Sequence, residues 1–131
     1  MNKYNDPAYK AALDLSIKVW TWLFENPGKE KEESPYYTEI FECQSDCPMC
    51  QYMRDHYENQ GSIFIRCESC PLYTVYNGIS KYECHPAFAE WQEIDHTLSV
   101  AAAYHSKLCC ARIVGILKRD RKKCTQQGAE G

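Results

Sequence analysis

Between residues 7 and 25, Tyr9, Leu13, Ile17, Trp20 and Phe24 recur every three or four positions, the period of one helix face. Ala12, Leu15, Val19, Trp22 and Leu23 supply a second apolar row, so this helix is expected to be covered on two sides. Asp6 suits an N-cap and Pro7 the first helical position. Asn26-Pro27-Gly28 stops the pattern. Trp20 and Trp22 are predicted to pack inside rather than to form an exposed aromatic patch. A second helical pattern spans 86–122. Phe88, Trp91, Ile94, Leu98, Ala101, Ala102, Leu108, Ile113, Ile116 and Leu117 hold an apolar face over several turns, and Pro86 stands at a plausible start. The spacing predicts one long helix over 86–122, with Ala101-Ala102-Ala103 allowing close approach of another helix. Lys118, Arg119, Arg121, Lys122 and Lys123 give it a basic end, which suits a helix C-terminus. Residues 124–131 are polar and Gly-containing, and are expected to fray.

The middle of the chain changes character. Residues 29–34 are a charged linker, and 35–41 fit either a short helix or an extended lead-in. Residues 51–59 are polar enough for one or two helical turns. Gln60-Gly61-Ser62 signals a turn. Ile63-Phe64-Ile65-Arg66-Cys67 reads as a strand, and residues 71–76 as a second strand closed by Asn77-Gly78. No internal repeat is present.

The cysteines give this middle region a chemistry. Cys47-Pro48-Met49-Cys50 is followed, after sixteen residues, by Cys67-Glu68-Ser69-Cys70. Two CxxC pairs at this separation point to zinc, because a CxxC turn sets two thiolates along one edge of a tetrahedron. The expected ligands are Cys47, Cys50, Cys67 and Cys70 around one Zn²⁺. A shell of four thiolates has no open position, so such a site is structural. Cys43, Cys84 and His85 are rival ligands, and a second metal would draw on Cys43, Cys84, His85 and His56. A dithiol switch is the competing account of a CxxC. Two pairs at this spacing fit zinc better. Cys109 and Cys110 are expected to be helix-packing residues, and Cys124 an exposed thiol. The fold class that follows is α+β. A small zinc-ribbon-like β module over 43–84 is flanked by the 7–25 helix and the 86–122 helix, in a single domain over 1–131.

Composition narrows the function. The formal net charge is −3 with His neutral, and four zinc-bound thiolates add to it. That balance disfavours a protein whose main task is gripping phosphates. No run of about 18 apolar residues suggests a membrane span, and the first residues lack an apolar signal core. A cytoplasmic location is therefore expected. In a reducing cytosol nine cysteines, an odd number, are poor material for disulfides. Asp95-His96 evokes the Asp-His pair of HNH nucleases, but it follows both CxxC pairs instead of lying between them. No Gly-rich phosphate loop, HExxH or nucleophile elbow is present. No catalytic residue is assigned.

The order of motifs resembles a group of small, Cys-rich bacteriophage accessory proteins with zinc modules. It is carried by Cys47-Pro48-Met49-Cys50, by Cys67-Glu68-Ser69-Cys70-Pro71-Leu72, and by Cys84-His85-Pro86-Ala87-Phe88-Ala89-Glu90-Trp91, and covers roughly residues 43–105. The resemblance implies an accessory protein in the cytoplasm of a bacterial host, acting by binding a host protein, including as an inhibitor of a defence system. A nucleic-acid binder using the zinc module and the 118–123 tail is the alternative, and a metal- or thiol-dependent enzyme the third. A homodimer through the 86–122 helix is also expected to be accessible, because its apolar face is more than one short partner helix can cover.

Overall fold

The computed structural model describes residues 3–43, 47–57, 71, 73–76, 79–84, 86–94 and 99–130. A single 3-10 turn at Lys3–Asn5 leads into α1, Pro7–Glu25, and a second turn spans Lys31–Glu33. The short α2 covers Tyr37–Ile40 and α3 covers Pro48–Tyr57. Strands β1, Tyr73–Tyr76, and β2, Ile79–Cys84, precede α4, Pro86–Glu93, and the long α5, Val100–Glu130.

The expected α+β class with a zinc-ribbon module is overturned. Helices build the body of the protein. The described strands make only a two-stranded antiparallel hairpin, with Tyr73 opposite Cys84, Val75 opposite Ser80 and Tyr76 opposite Ile79. Strand β1 thus pairs with β2, Ile79–Cys84. The expected strand at 63–67 lies outside the described residues. A two-stranded hairpin buries too little apolar surface to fold by itself, so the helical packing has to carry stability.

The 86–122 helix is also corrected. It is two helices, α4 and α5, because a new cap intervenes. The Ser99 hydroxyl accepts from the Ala102 amide at 3.0 Å, and the Ser99 carbonyl accepts from the Ala103 amide at 3.0 Å. A serine so placed starts a helix. The expected frayed tail is corrected as well: α5 continues to Glu130.

The start of α1 follows its sequence signals. The Asp6 carboxylate accepts from the Ala8 amide at 2.9 Å, Pro7 needs no partner for a missing N–H, and Asn26 closes the other end on the Trp22 carbonyl. The buried face is Tyr9, Leu13, Ser16, Val19, Trp20 and Leu23. It lies against the face of α5 formed by Ser106, Cys109, Cys110, Ile113, Leu117, Asp120 and Cys124, all buried. The two helices run antiparallel. Lys107 sits over the Phe24 ring, while Arg121 reaches Asp14 at 2.8 Å and Asp120 accepts from the Tyr9 hydroxyl. Cys124 is therefore a core residue, fully buried, and not the exposed thiol that its polar neighbours predict. Cys109 and Cys110 are buried in the same seam.

Met49, Tyr52 and Met53 bring α3 onto the N-terminal half of α1. Tyr52 packs on Tyr9 at a ring separation of 4.9 Å and donates its hydroxyl to Asp6 at 2.8 Å. Trp91 of α4 meets Trp20 of α1 edge-on at 5.1 Å. The Lys31 ammonium lies over the other part of that contact, 5.2 Å from the Trp20 ring.

By length and composition Val100–Cys124 is apolar enough to cross a membrane, a feature that the strict search for an apolar run misses. One face of it packs on α1, and 28 per cent of its most apolar stretch is buried.

Ser16 is a small fault in this core. Its hydroxyl is buried and has no hydrogen-bond partner, and burying an unpaired hydroxyl costs more than burying a methyl group. Ser16→Ala is expected to stabilise the fold by about 1 kcal/mol. A urea midpoint that rises at constant slope is the supporting result, and a fall would show that the hydroxyl is satisfied.

Candidate metal centre

The residues singled out from sequence are only partly brought within view. Cys47 directly precedes α3, and Cys50 lies in its first turn. The Cys50 amide donates to Cys47 Sγ at 3.4 Å. Cys67 and Cys70 lie outside the described residues, as do His85 and His96. Cys84 ends β2. Cys43 donates weakly to the Glu39 carbonyl at 3.9 Å. His56 is engaged elsewhere: its ring stacks on Tyr52 at 3.9 Å and its Nε2 lies 3.3 Å from Asp6.

The helix start shapes the chemistry of Cys47. A hydrogen bond from the Cys50 side chain outweighs the cost of burial. The backbone amides of Cys50 and Met49 and the Lys31 ammonium add to it, and the thiol falls to about 6. A thiolate populated at neutral pH is what a soft metal or an electrophile requires. Burial works the other way in the helical seam and pushes Cys110 up to about 12. Cys124 is also raised, first by burial. In metal-free protein, alkylation of Cys47 by iodoacetamide is therefore expected to rise through pH of about 6, with Cys110 unreactive until the chain unfolds. Peptide mapping after brief labelling at pH 5 and pH 7.5 checks this. Equal labelling of Cys47 at both values would contradict it.

A different group emerges between α4 and α5. Glu90 projects from α4, while His105 and Cys109 stand one turn apart on α5. His105 Nε2 lies 3.5 Å from Glu90 Oε2, and Cys109 Sγ lies 3.8 Å from the same oxygen. All three donor atoms fall within 4.8 Å of one another. Among the described residues no other group of His, Cys, Asp and Glu meets that condition. These three side chains could hold a metal ion. Beside them opens a groove of about 470 Å³ lined by Glu90, Glu93, Ile94, Ala101, Ala102 and His105. Glu90 and His105 are about half exposed, whereas Cys109 is buried. Burial, then the neighbouring Glu90 carboxylate, raises the Cys109 thiol, and Arg112 only partly offsets them.

Sequence reasoning missed this group. The i, i+4 spacing of His105 and Cys109 puts both on one helix face, and that signal was available. Glu90 was not available, because it joins only after the chain turns between α4 and α5.

The fold and the site thus define a helical protein with a Glu, a His and a Cys gathered at a helix–helix junction, a group that could hold a metal ion. No family model, curated protein or solved structure matches this chain.

Proposed function

We propose that this protein is a non-enzymatic, metal-stabilised binding module. It would be a phage-type accessory protein that works in the bacterial host cytoplasm by docking on a host protein, as an inhibitor of a host or defence system. Zn²⁺ is the metal in this proposal, held by Cys47, Cys50, Cys67 and Cys70 as a closed structural site. The phage assignment is supported by the sequence resemblance, and the docking assignment by one structural observation.

That observation is the outer face of α5. Val100, Tyr104 and Leu108 follow one another every four residues and are 89, 66 and 48 per cent exposed. Ala111 and Gly115 continue the same face. A Cβ built on Gly115 would meet no atom within 4 Å beyond its chain neighbours and the nearby backbone of its own helix. Folding alone gives no reason for glycine there, since mid-helix glycine costs about 0.5–1 kcal/mol relative to alanine. A partner backbone crossing close to α5 supplies such a reason. Beyond Gly115 the face becomes basic with Lys118, Arg119 and Lys122, all exposed. The matching partner surface is apolar at one end and acidic at the other, as an amphipathic helix with an acidic terminus would be.

The test is a complex isolated from the host cytoplasm with the full chain as bait. A one-to-one complex is expected to survive size exclusion and to be lost with Leu108→Asp, whose fold remains intact because Leu108 is outside the core. Gly115→Ala is expected to raise stability by about 0.5–1 kcal/mol while weakening the complex. If neither substitution alters the complex, the docking face is refuted. Light scattering on the isolated chain identifies a second copy as the occupant.

Nucleic-acid binding is the less favoured reading, because the basic tail is partly committed within the fold. Arg121 pairs with Asp14 at 2.8 Å and Lys123 lies 3.6 Å from the buried Asp120. Salt-dependent DNA or RNA binding lost on neutralising Arg119 and Lys122 would reverse that preference.

A further inference from the structure

We propose that Glu90, His105 and Cys109 form a Zn²⁺ site separate from the CxxC cysteines, with one exchangeable coordination position opening into the α4–α5 groove.

The donor set selects the metal. A thiolate, an imidazole and a carboxylate together suit a borderline-soft ion such as Zn²⁺, and disfavour Ca²⁺ or Mg²⁺, which require oxygen shells. The geometry is close to the requirement. Ligand atoms about 2.0–2.3 Å from a tetrahedral zinc lie about 3.3–3.8 Å apart. The two measured separations from Glu90 Oε2 are 3.5 Å to His105 and 3.8 Å to Cys109. The third pair, His105 and Cys109, lies within 4.8 Å.

The coordination is incomplete with three protein donors, so a fourth ligand must come from elsewhere. Glu93 lines the same groove but is not among the three donors. The groove offers about 470 Å³ beside the site, room for water or a small anion. Ile94, Ala101 and Ala102 form its apolar side, which leaves space that larger side chains would fill. This contrasts with a four-thiolate shell, which has no position to exchange.

The ion would also act as a clamp. Glu90 belongs to α4 and the other two ligands to α5, so coordination fastens the helix that follows the hairpin onto the main α1–α5 pair. In the metal-free state that junction depends on Trp91 and Ala87, the two buried side chains of α4 among the described residues.

The test uses the full chain, stripped with chelator and reloaded by dialysis against Zn²⁺, with bound metal counted per chain. His105→Ala and Glu90→Gln alter half-exposed side chains and leave the core intact, and each is expected to bind one equivalent less than the unmodified chain. Cys109→Ser, checked for folding by circular dichroism, is expected to do the same. Cys47→Ser distinguishes the two sites: its loss of metal should add to that of His105→Ala. Unchanged stoichiometry in His105→Ala and Cys109→Ser overturns the proposal. Replacement by Co²⁺ tests the open position, with azide as the probe. An azide-dependent change in the visible spectrum is expected in the unmodified chain and not in His105→Ala. The same response in both, or none in either, overturns the exchangeable position.

Discussion

Trp20→Ala is expected to destabilise the protein by about 3–5 kcal/mol, the usual cost of removing a large buried aromatic. Trp20 is 4 per cent exposed and holds three parts of the fold together. Its own helix contributes it to the α1–α5 seam, Trp91 of α4 packs on it edge-on at 5.1 Å, and Lys31 covers it at 5.2 Å. The cavity is only part of the loss. The aromatic pair is worth about 0.5–1.5 kcal/mol beyond its buried area, and buried Lys31 gives up an aromatic face. Trp20→Phe keeps part of the packing and should cost clearly less. Chemical denaturation of both variants measures the difference. Hydrogen exchange should show that Trp20→Ala loosens α4, whose Trp91 packs on Trp20. A cost below about 1 kcal/mol would mean that the α1–α4 contact does not exist as described.

Asp120→Ala is the second large effect, expected at about 3 kcal/mol. Asp120 is 6 per cent exposed and sits where α5 passes the start of α1. One carboxylate oxygen accepts from the fully buried Tyr9 hydroxyl, and the other accepts from Tyr4 at 3.2 Å, with Lys123 at 3.6 Å. Hydrogen bonds to a charged group are stronger than neutral ones, and removing their acceptor inside the protein leaves the donors' desolvation uncompensated. Asp120→Asn keeps an acceptor and the shape, and should recover more than half the loss. Tyr9→Phe removes donor without stranding an acceptor in the same way, so it should cost less than Asp120→Ala. Midpoints from urea titration rank the three variants. Equal stability of Asp120→Ala and the unmodified chain would refute the account of this end of the core.

Local signals gave the limits of α1 because they act within a few residues. Asp6, Pro7 and Asn26 settle that helix whatever the rest of the chain does. The hairpin was half legible. Asn77-Gly78 is a strong two-residue hairpin signal, and Ile79-Ser80-Lys81-Tyr82-Glu83-Cys84 could have been taken as the returning strand. The cysteines drew the preceding strand into a ribbon instead. The α4–α5 break was masked by apolar spacing that runs through it from Ile94 to Ala101. Only the Ser99 cap, whose partner amide is three residues on, marks the new start.

The same break explains why the Glu90–His105–Cys109 group was hidden. In one continuous helix Glu90 and His105 would stand about 22 Å apart, at 1.5 Å per residue. Folding α4 back on α5 brings their side chains to 3.5 Å. Metal ligands spaced by a turn of unknown direction leave no regular sequence pattern, unlike a CxxC. The burial of Cys124 was illegible for a related reason. Its neighbours in sequence are polar, but the helix carries it one further turn along the face that packs on α1.

The central claim is that the outer face of α5 receives a host protein. A photo-crosslinking amino acid in place of Tyr104, in the full chain expressed in the bacterial host, tests it where the partner is present. The account predicts one discrete crosslinked host protein that disappears when Leu108→Asp is added. No crosslinked product, or a product containing only two copies of this chain, would contradict it.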